Sequence, residues 1–302
     1  MKASDWHGVM PAITTPFRKD LSVDVEFLRE HVAWLVGTGC RAIVTPGSLG
    51  EGATLEHDEK VTIWRECAAA VGANVPVIAA VSSLSTADAV RVAKQAEQAG
   101  CRGLMVLPPY VYKGEWRETK AHFGAVLRAT KLSCMLYNNP VAYGTDVFPP
   151  QVMELAAEHE NLHAIKESST DVRRITWLKA IGGDRLALFV GVDDLIVEGI
   201  AAGATGWIAG LVNALPTESV RLFDLAVKGE HAAAAELYAW FLPLLRMDTT
   251  YDFVQLIKLV QTEVGKVGSG GAVTRPPRLM PEGARLAEVL AEIRRSLAAR
   301  PG

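Results

Sequence analysis

Cysteine is scarce and scattered in this chain. Cys40, Cys67, Cys101 and Cys134 show no CxxC spacing, which argues against a thiolate metal site and a disulfide framework. Three of them open apolar, strand-like runs, and we expect reduced, buried thiols that behave as small hydrophobes. An excess of one charge is also missing: 31 basic residues stand against 34 acidic, leaving a net charge of −3. That gives no long-range field to gather nucleic acid or an anionic membrane. No segment approaches the ~20 uninterrupted apolar residues needed to span a bilayer, and Met1 to Gly8 lacks a basic stretch followed by an apolar one. The expectation is a cytoplasmic protein with a small-molecule partner, without nucleic acid or membrane. The glycine-rich run Gly47 to Gly52 lacks the Gly-Lys-Ser/Thr ending of a nucleotide phosphate loop, and Lys266 to Gly271 resembles one only in composition and reads as a connector. What is present is 302 residues, 49% hydrophobic and 22% charged, enough to bury one large core.

A repeating sentence organises that core. An amphipathic, helix-like stretch ends at a glycine, and a short apolar run follows at once: Gly39-Cys40-Arg41-Ala42-Ile43-Val44, Gly100-Cys101-Arg102-Gly103-Leu104-Met105 and Gly203-Ala204-Thr205-Gly206-Trp207-Ile208. The glycine suits a helix C-cap at positive φ, and the intervals fit units of roughly 25 to 30 residues, the βα repeat length. Apolar runs near 8–14, 41–47, 75–82, 102–108, 132–138, 162–167, 186–191 and 204–210 make eight strands. They are continuously apolar, as in a parallel sheet covered by helices on one face and filled by packed side chains on the other. Helix starts accompany them, at Ser85-Thr86-Ala87-Asp88 and at the acidic turn Glu56, Asp58, Glu59. The expected fold is α/β, a (β/α)8 TIM barrel over residues 1–229, followed by a C-terminal three-helix domain over 230–302, with helices near 231–247, 251–265 and 281–299. An open doubly wound sheet is the alternative. Trp34, Trp64, Trp177 and Trp240 fall within helical stretches and read as packing residues.

In a barrel, catalytic groups come from the C-terminal strand ends and the loops after them. Those ends carry Gly47-Ser48-Leu49, Tyr137-Asn138-Asn139, Lys166-Glu167-Ser168 and Gly210-Leu211-Val212-Asn213. Lys166 stands out because the other lysines fall in helical or loop contexts, whereas it follows Leu162, Ala164 and Ile165. Burial there lowers a lysine's pKa, and a neutral amine is what attacks a carbonyl or imine carbon. A rim lysine paired with Glu167 or another carboxylate is the competing reading. Tyr137 ends the preceding strand, about 4.8 Å away, and suits a proton shuttle, unless its ring simply caps the core. The loop Gly47-Ser48-Leu49-Gly50-Glu51-Gly52 offers backbone N–H groups and the Ser48 hydroxyl to a carboxylate. His159-Glu160-Asn161-Leu162-His163 matches the letters of a zinc-peptidase motif, but a strand should begin at Leu162, so the two imidazoles would not share a helical face.

Taken together, GSLGEG, LYNNP, IKESS and GVDD, in this order and at these strand ends, resemble the dihydrodipicolinate synthase and N-acetylneuraminate lyase family across nearly the whole chain. The resemblance implies a Schiff base on Lys166, a proton carried by Tyr137, and a substrate carboxylate held at the Ser48-Leu49 turn. It implies a homotetramer built as a dimer of dimers, a 2-keto acid or cyclic imine as substrate, and neither metal nor organic cofactor. Gly47, Leu49, Ile208, Tyr143, Ser168 and Asn213 become candidate substrate contacts. Departures narrow the substrate. Leu49 stands where the lysine-pathway synthase has a second threonine. Val111, between Tyr110 and Tyr112, takes the place of a tyrosine lent by a neighbouring subunit, and Ala142 that of an arginine gripping a second carboxylate. IKESSTDVRRI, GATGWIAGLVNALP, FLPLLRMDTTYDFVQLIKL and TRPPRL are instead similar to the branch of 1-pyrroline-4-hydroxy-2-carboxylate deaminases. The expected activity is therefore that deamination; a 2-keto-3-deoxy sugar acid dehydratase or aldolase is the alternative, and dihydrodipicolinate synthesis a weaker one.

Overall fold

The three glycine junctions are the most direct link between sequence and architecture. In the computed structural model, which describes residues 1–111 and 113–301, Gly39, Gly100 and Gly203 have φ of 106°, 94° and 107°. Their N–H groups donate to Val36, Glu97 and Ile200. The next residue in each case, Cys40, Cys101 or Ala204, donates to Leu35, Ala96 or Gly199. These paired bonds satisfy the last helix carbonyls and turn the chain into a strand.

Eight strands follow in chain order: β1 (Gly8–Pro11), β2 (Ile43–Thr45), β3 (Val77–Val81), β4 (Gly103–Val106), β5 (Ser133–Asn138), β6 (Leu162–Glu167), β7 (Ala187–Val190) and β8 (Gly206–Ala209). All are parallel, in the order β1-β8-β7-β6-β5-β4-β3-β2. The Ala12–Val44 bridge joins β1 back to β2. The sheet therefore closes, which removes its edges and excludes the open doubly wound alternative. Helix starts are where the sequence places them: Ser85 accepts from the Asp88 N–H, and the Glu59 carboxylate accepts from the Glu56 N–H at 2.8 Å. After the helix Pro216–Lys228 come His231–Leu245, Phe253–Glu263 and Gly283–Ala298, each within the expected range.

Strand alternation divides the core in two. Outward residues such as Val9, Leu136 and Ile165 pack under the helices, while Met10, Val44, Met105, Met135 and Phe189 fill the barrel interior. Trp6 closes the N-terminal end of the barrel: its indole donates to Ser133 Oγ at the start of β5 (2.7 Å), and its ring meets Phe189 edge-on at 6.0 Å. Removing so large a buried ring should cost about 3–5 kcal/mol. The four cysteines are buried and unpaired with one another. Trp64 is fully buried, but Trp177 is 44% exposed and is no core residue; it lies on the outer face of the helix Arg173–Gly182.

Candidate active site

Lys166 and Tyr137 are register partners on β6 and β5, and alternation sends both inward while Ile165 and Glu167 point the other way. The Lys166 amine lies 4.0 Å from the centroid of the Tyr137 ring, and the residue is only 7% exposed. Burial holds this amine below the ordinary lysine range, opposed by the charges of Asp248, Tyr143 and Asp193. The pairing with Glu167 is not made: that carboxylate accepts from Ser169 N at 2.7 Å and Asn138 Nδ2 at 3.1 Å. Among the described residues Lys166 forms no ion pair within 4.0 Å. A second lysine shows the contrast. Lys258, on the helix Phe253–Glu263, is as deeply buried but sits 2.6 Å from Glu51 Oε1 and donates to the Val273 carbonyl at 2.6 Å. Lys258 is tied; Lys166 is available.

Tyr137 accepts a hydrogen bond from Asn139 Nδ2 at 3.0 Å, and burial pushes its phenol up to about 12. It stays protonated near neutrality, fit to donate a proton and take one back. Tyr143 lies at the end of the short helix Pro140–Tyr143. Its ring is 5.3 Å from that of Tyr110 and 6.1 Å from that of Tyr137, its hydroxyl is hydrogen-bonded to Ser48 Oγ, and burial raises its pKa. A hydroxyl pair thus exists within one chain. Val111 is 64% exposed, and Tyr112 lies outside the described residues.

The Gly47–Gly52 turn is drawn tight by Glu51 N donating to Ser48 O and Gly52 N to Gly47 O. Glycine is required at its crossings by space: a Cβ on Gly52 would fall 2.5 Å from the Pro46 carbonyl, and one on Gly50 2.8 Å from that of Ile13. Glu51 anchors the turn from below. One of its carboxylate oxygens takes Lys258 and the other the Arg275 N–H at 2.9 Å, while the Arg275 guanidinium reaches Glu59. Among the described residues the N–H groups of Ser48 and Leu49 are spent on no other group of the chain, so both can receive a carboxylate.

These elements open on one cavity of about 500 Å³. Gly47, Ser48, Leu49, Tyr137, Tyr143 and Lys166 line it, as do Ser168 and Ile208. Asn213 does not. Its side chain is fully buried, with Oδ1 accepting from Thr14 N and meeting His31 Nε2 at 2.9 Å, while Nδ2 donates to the Ala12 and Gly210 carbonyls at 2.8 Å. It ties the end of β8 to β1 and has no capacity left for a substrate. The histidines of HENLH are also apart, since the helix ends at Glu158, whereas His163 lies in β6 with Nδ1 2.6 Å from Ser133 Oγ, at the end of the strand opposite Lys166.

The cavity also contains groups the sequence did not advertise. Asp248, Thr249 and Thr250, from the turn following His231–Leu245, and Arg278, from the loop after Phe253–Glu263, complete its wall. Asp193 stands close beneath. Its carboxylate accepts from Trp207 Nε1 at 2.9 Å, Leu211 N at 2.7 Å and Gly210 N at 3.1 Å, and burial still pushes it up to about 6. Two glycines clear the space around these groups. A Cβ on Gly191 would lie 2.0 Å from Ser168 Oγ and 2.5 Å from Lys166 Cε; one on Gly210 would lie 2.1 Å from Asp248 Oδ1. Chemically the arrangement offers an unpaired amine, protonated phenols and an oxyanion-binding turn in one partly dry space.

Comparison with known proteins agrees with this geometry. The profile of the Dihydrodipicolinate synthetase family matches residues 5–293. The 4-hydroxy-tetrahydrodipicolinate synthase of Geobacter metallireducens is 32% identical over 286 residues, 95% of this chain and 97% of its own. That of Acidobacterium capsulatum is 31% identical over 290 residues, 96% of each. The crystal structure of dihydrodipicolinate synthase from Aquifex aeolicus matches with a TM-score of 0.90 at 26% identity, covering 97% of this chain and 98% of that one. The chloride-inhibited enzyme from Acinetobacter baumannii, complexed with pyruvate, gives 0.90 at 26% identity over 96% and 98%. With a family profile spanning almost its full length and relatives matched end to end, the chain belongs to the dihydrodipicolinate synthetase family.

Proposed function

We propose that this protein converts 1-pyrroline-4-hydroxy-2-carboxylate to 2,5-dioxopentanoate and ammonia through a Schiff base on Lys166. The observation that carries the reading is the unpaired, buried Lys166 amine facing the cavity 4.0 Å from the Tyr137 ring. The neutral amine attacks C2 of the cyclic imine, and the ring opens to leave a protonated Schiff base at C2 and a free amine at C5. That iminium acidifies C3. Loss of a C3 proton gives an enamine, which expels the C4 hydroxyl as water; tautomerisation places an imine at C5, and one water releases ammonia. Hydrolysis of the Lys166 adduct with a second water frees the product, so the net reaction consumes one water. Tyr137, protonated at neutral pH, serves as donor and acceptor in these transfers. Ser48 and the Ser48 and Leu49 amides hold the carboxylate. Ala142, which lines the cavity, presents only a methyl group where a second carboxylate would need a cation.

The reading includes a homotetramer in the cytoplasm. Among the described residues no helix is long and apolar enough to cross a membrane, and sedimentation velocity tests the subunit count. A second reading, an open-chain 2-keto-3-deoxy sugar acid as substrate of a dehydratase or aldolase, is favoured by Thr249, Thr250 and Arg278 in the cavity wall, which suit a hydroxylated tail. Incubation of the purified protein with each substrate separates the two, because ammonia is released only from the pyrroline. Borohydride reduction in the presence of pyruvate, followed by mass spectrometry of the peptide containing residue 166, tests the covalent chemistry common to both; an unmodified peptide would refute both.

A further inference from the structure

We propose that Asp248 is a catalytic carboxyl of this site, storing the proton given up by Lys166 and returning it to the departing oxygen as the Schiff base forms. The proposal deepens the Schiff-base reading above and rests on it. Asp248 does not belong to a barrel strand. It stands in the 3-10 turn Arg246–Thr249, which follows the helix His231–Leu245 and delivers its side chain into the cavity that Lys166 lines.

The turn is held firmly enough to position that side chain. Met247 is buried, Thr249 Oγ1 donates to the Arg246 carbonyl at 2.8 Å, Thr250 Oγ1 to that of Met247 at 3.3 Å, and Arg246 lies 3.6 Å from Asp194. The barrel has left a slot for the carboxyl. With any side chain at position 210, a Cβ would fall 2.1 Å from Asp248 Oδ1 and 2.8 Å from its Cγ, so the approach of this group to the end of β8 depends on glycine.

Its neighbours decide where the proton resides. Lys166 faces Asp248 from β6, and Asp193 and Asp194 face it from the segment after β7. Arg246 is on its own turn, and Arg278 is on the cavity wall. Asp193 is engaged by three donors at the end of β8, whereas Asp248 makes no ion pair among the described residues. Two carboxyls side by side cannot both ionise cheaply. Burial, followed by the charge of Asp193, holds the Asp248 carboxyl well above the usual carboxylate range, while burial lowers Lys166. Both burial effects favour the proton on the carboxyl, against the attraction between the two charges. The attacking form is the neutral amine beside a carboxylic acid, a nucleophile with a proton in reserve.

The proton count closes. The Lys166 nitrogen forms a bond to C2 of a 2-oxo acid as the carbonyl π bond breaks. One nitrogen proton passes to that oxygen, through Tyr137, to give the neutral carbinolamine. Asp248 protonates the hydroxyl, the C–O bond breaks, and water leaves as the nitrogen lone pair completes the iminium. Asp248 remains as a carboxylate beside the new cation and compensates its charge; hydrolysis runs the same steps backwards.

The test uses the full-length protein, pyruvate and borohydride, reading the rate of adduct formation at residue 166 between pH 5 and 9. Asp248→Asn should slow adduct formation by at least ~100-fold, the scale of general acid catalysis. It should also abolish the alkaline fall in rate that ionisation of Asp248 imposes on the wild type. Asp248→Glu should restore part of the rate, and Gly210→Ala, which displaces the carboxyl without removing it, should reproduce the loss. Adduct formation by folded Asp248→Asn within threefold of wild type and with the same pH profile would overturn the proposal. If Asp248→Asn does not fold, an unimpaired Gly210→Ala variant has the same force. A wild-type protein that yields no adduct with pyruvate refutes the Schiff-base reading itself, an outcome distinct from either of these.

Discussion

Lys258→Met removes the cation from a pair whose members are 5% and 0% exposed and 2.6 Å apart. Glu51 would be left buried, with the Arg275 N–H as its remaining partner, and the Val273 carbonyl would lose its donor. Breaking a buried ion pair from one side costs about 3–5 kcal/mol, chiefly because the surviving charge is stranded. With an unfolding entropy of about 2.1 cal/mol/K per residue, that corresponds to a fall in Tm of roughly 5–8 °C for a chain of this length. Glu51→Gln keeps an acceptor for Arg275 but strands the ammonium, so it should cost a comparable amount. The double variant strands no charge. It should be more stable than the sum of the single losses by about 2 kcal/mol, within the range that contacting residues show in such cycles. Urea unfolding of the four proteins measures this coupling. Additivity within about 0.5 kcal/mol would refute the claim that the two charges hold each other. Because Glu51 N also closes the turn that presents Ser48, the single variants should raise KM for a 2-oxo acid more than they lower kcat.

Tyr137→Phe should lower kcat by about 10²–10⁴-fold while leaving the pyruvate adduct detectable at long incubation; steady-state kinetics at saturating substrate checks it, and an unchanged kcat would remove Tyr137 from the mechanism. Gly191→Ala places a methyl group against Ser168 Oγ and Lys166 Cε, and should abolish borohydride trapping with the circular dichroism spectrum intact. Asn213→Leu should be lost mainly in stability, by several kcal/mol, because four partners are left unmatched; a folded variant with a selectively raised KM would reinstate Asn213 as a substrate contact. His31 is held at about 4 by burial, below its unfolded value near 6.5. The unfolded chain therefore gains a proton first, and stability is lost as pH falls from about 6.5 to 4, by ~3 kcal/mol at the lower end. His31→Gln should flatten that limb in urea titrations.

The barrel was legible because its signals are local. A C-cap glycine followed by an apolar run marks three of the strand starts, and the strand ends then point to Lys166 and Tyr137, adjacent because the two strands pair in register. The Ser48 turn was reached by the same rule, whereas Tyr143 came only with the family resemblance. That rule also misled, since Asn213 stands at a strand end yet turns its amide inward to bind backbone. What could not be read depends on distant folding. Glu51 and Lys258 meet across 207 positions, and nothing near Asp248 reveals that its turn returns to the barrel mouth. A helix lysine such as Lys258 looks solvent-bound in sequence; only its buried carboxylate shows otherwise.

Trp6 seals the barrel at the end remote from Lys166, its ring packed edge-on against Phe189 of the interior, and this shapes the traffic of the reaction. The reacting cavity is a blind well with a floor of aromatic and methionine side chains. On the proposed reaction, substrate, hydrolytic water, ammonia and the dicarbonyl product would share the one doorway, so each departure would clear the way for the next arrival. A bulky group grafted at that doorway, on the side of Thr249 and Arg278, should throttle entry and exit together while the chemistry beneath it proceeds at its own pace.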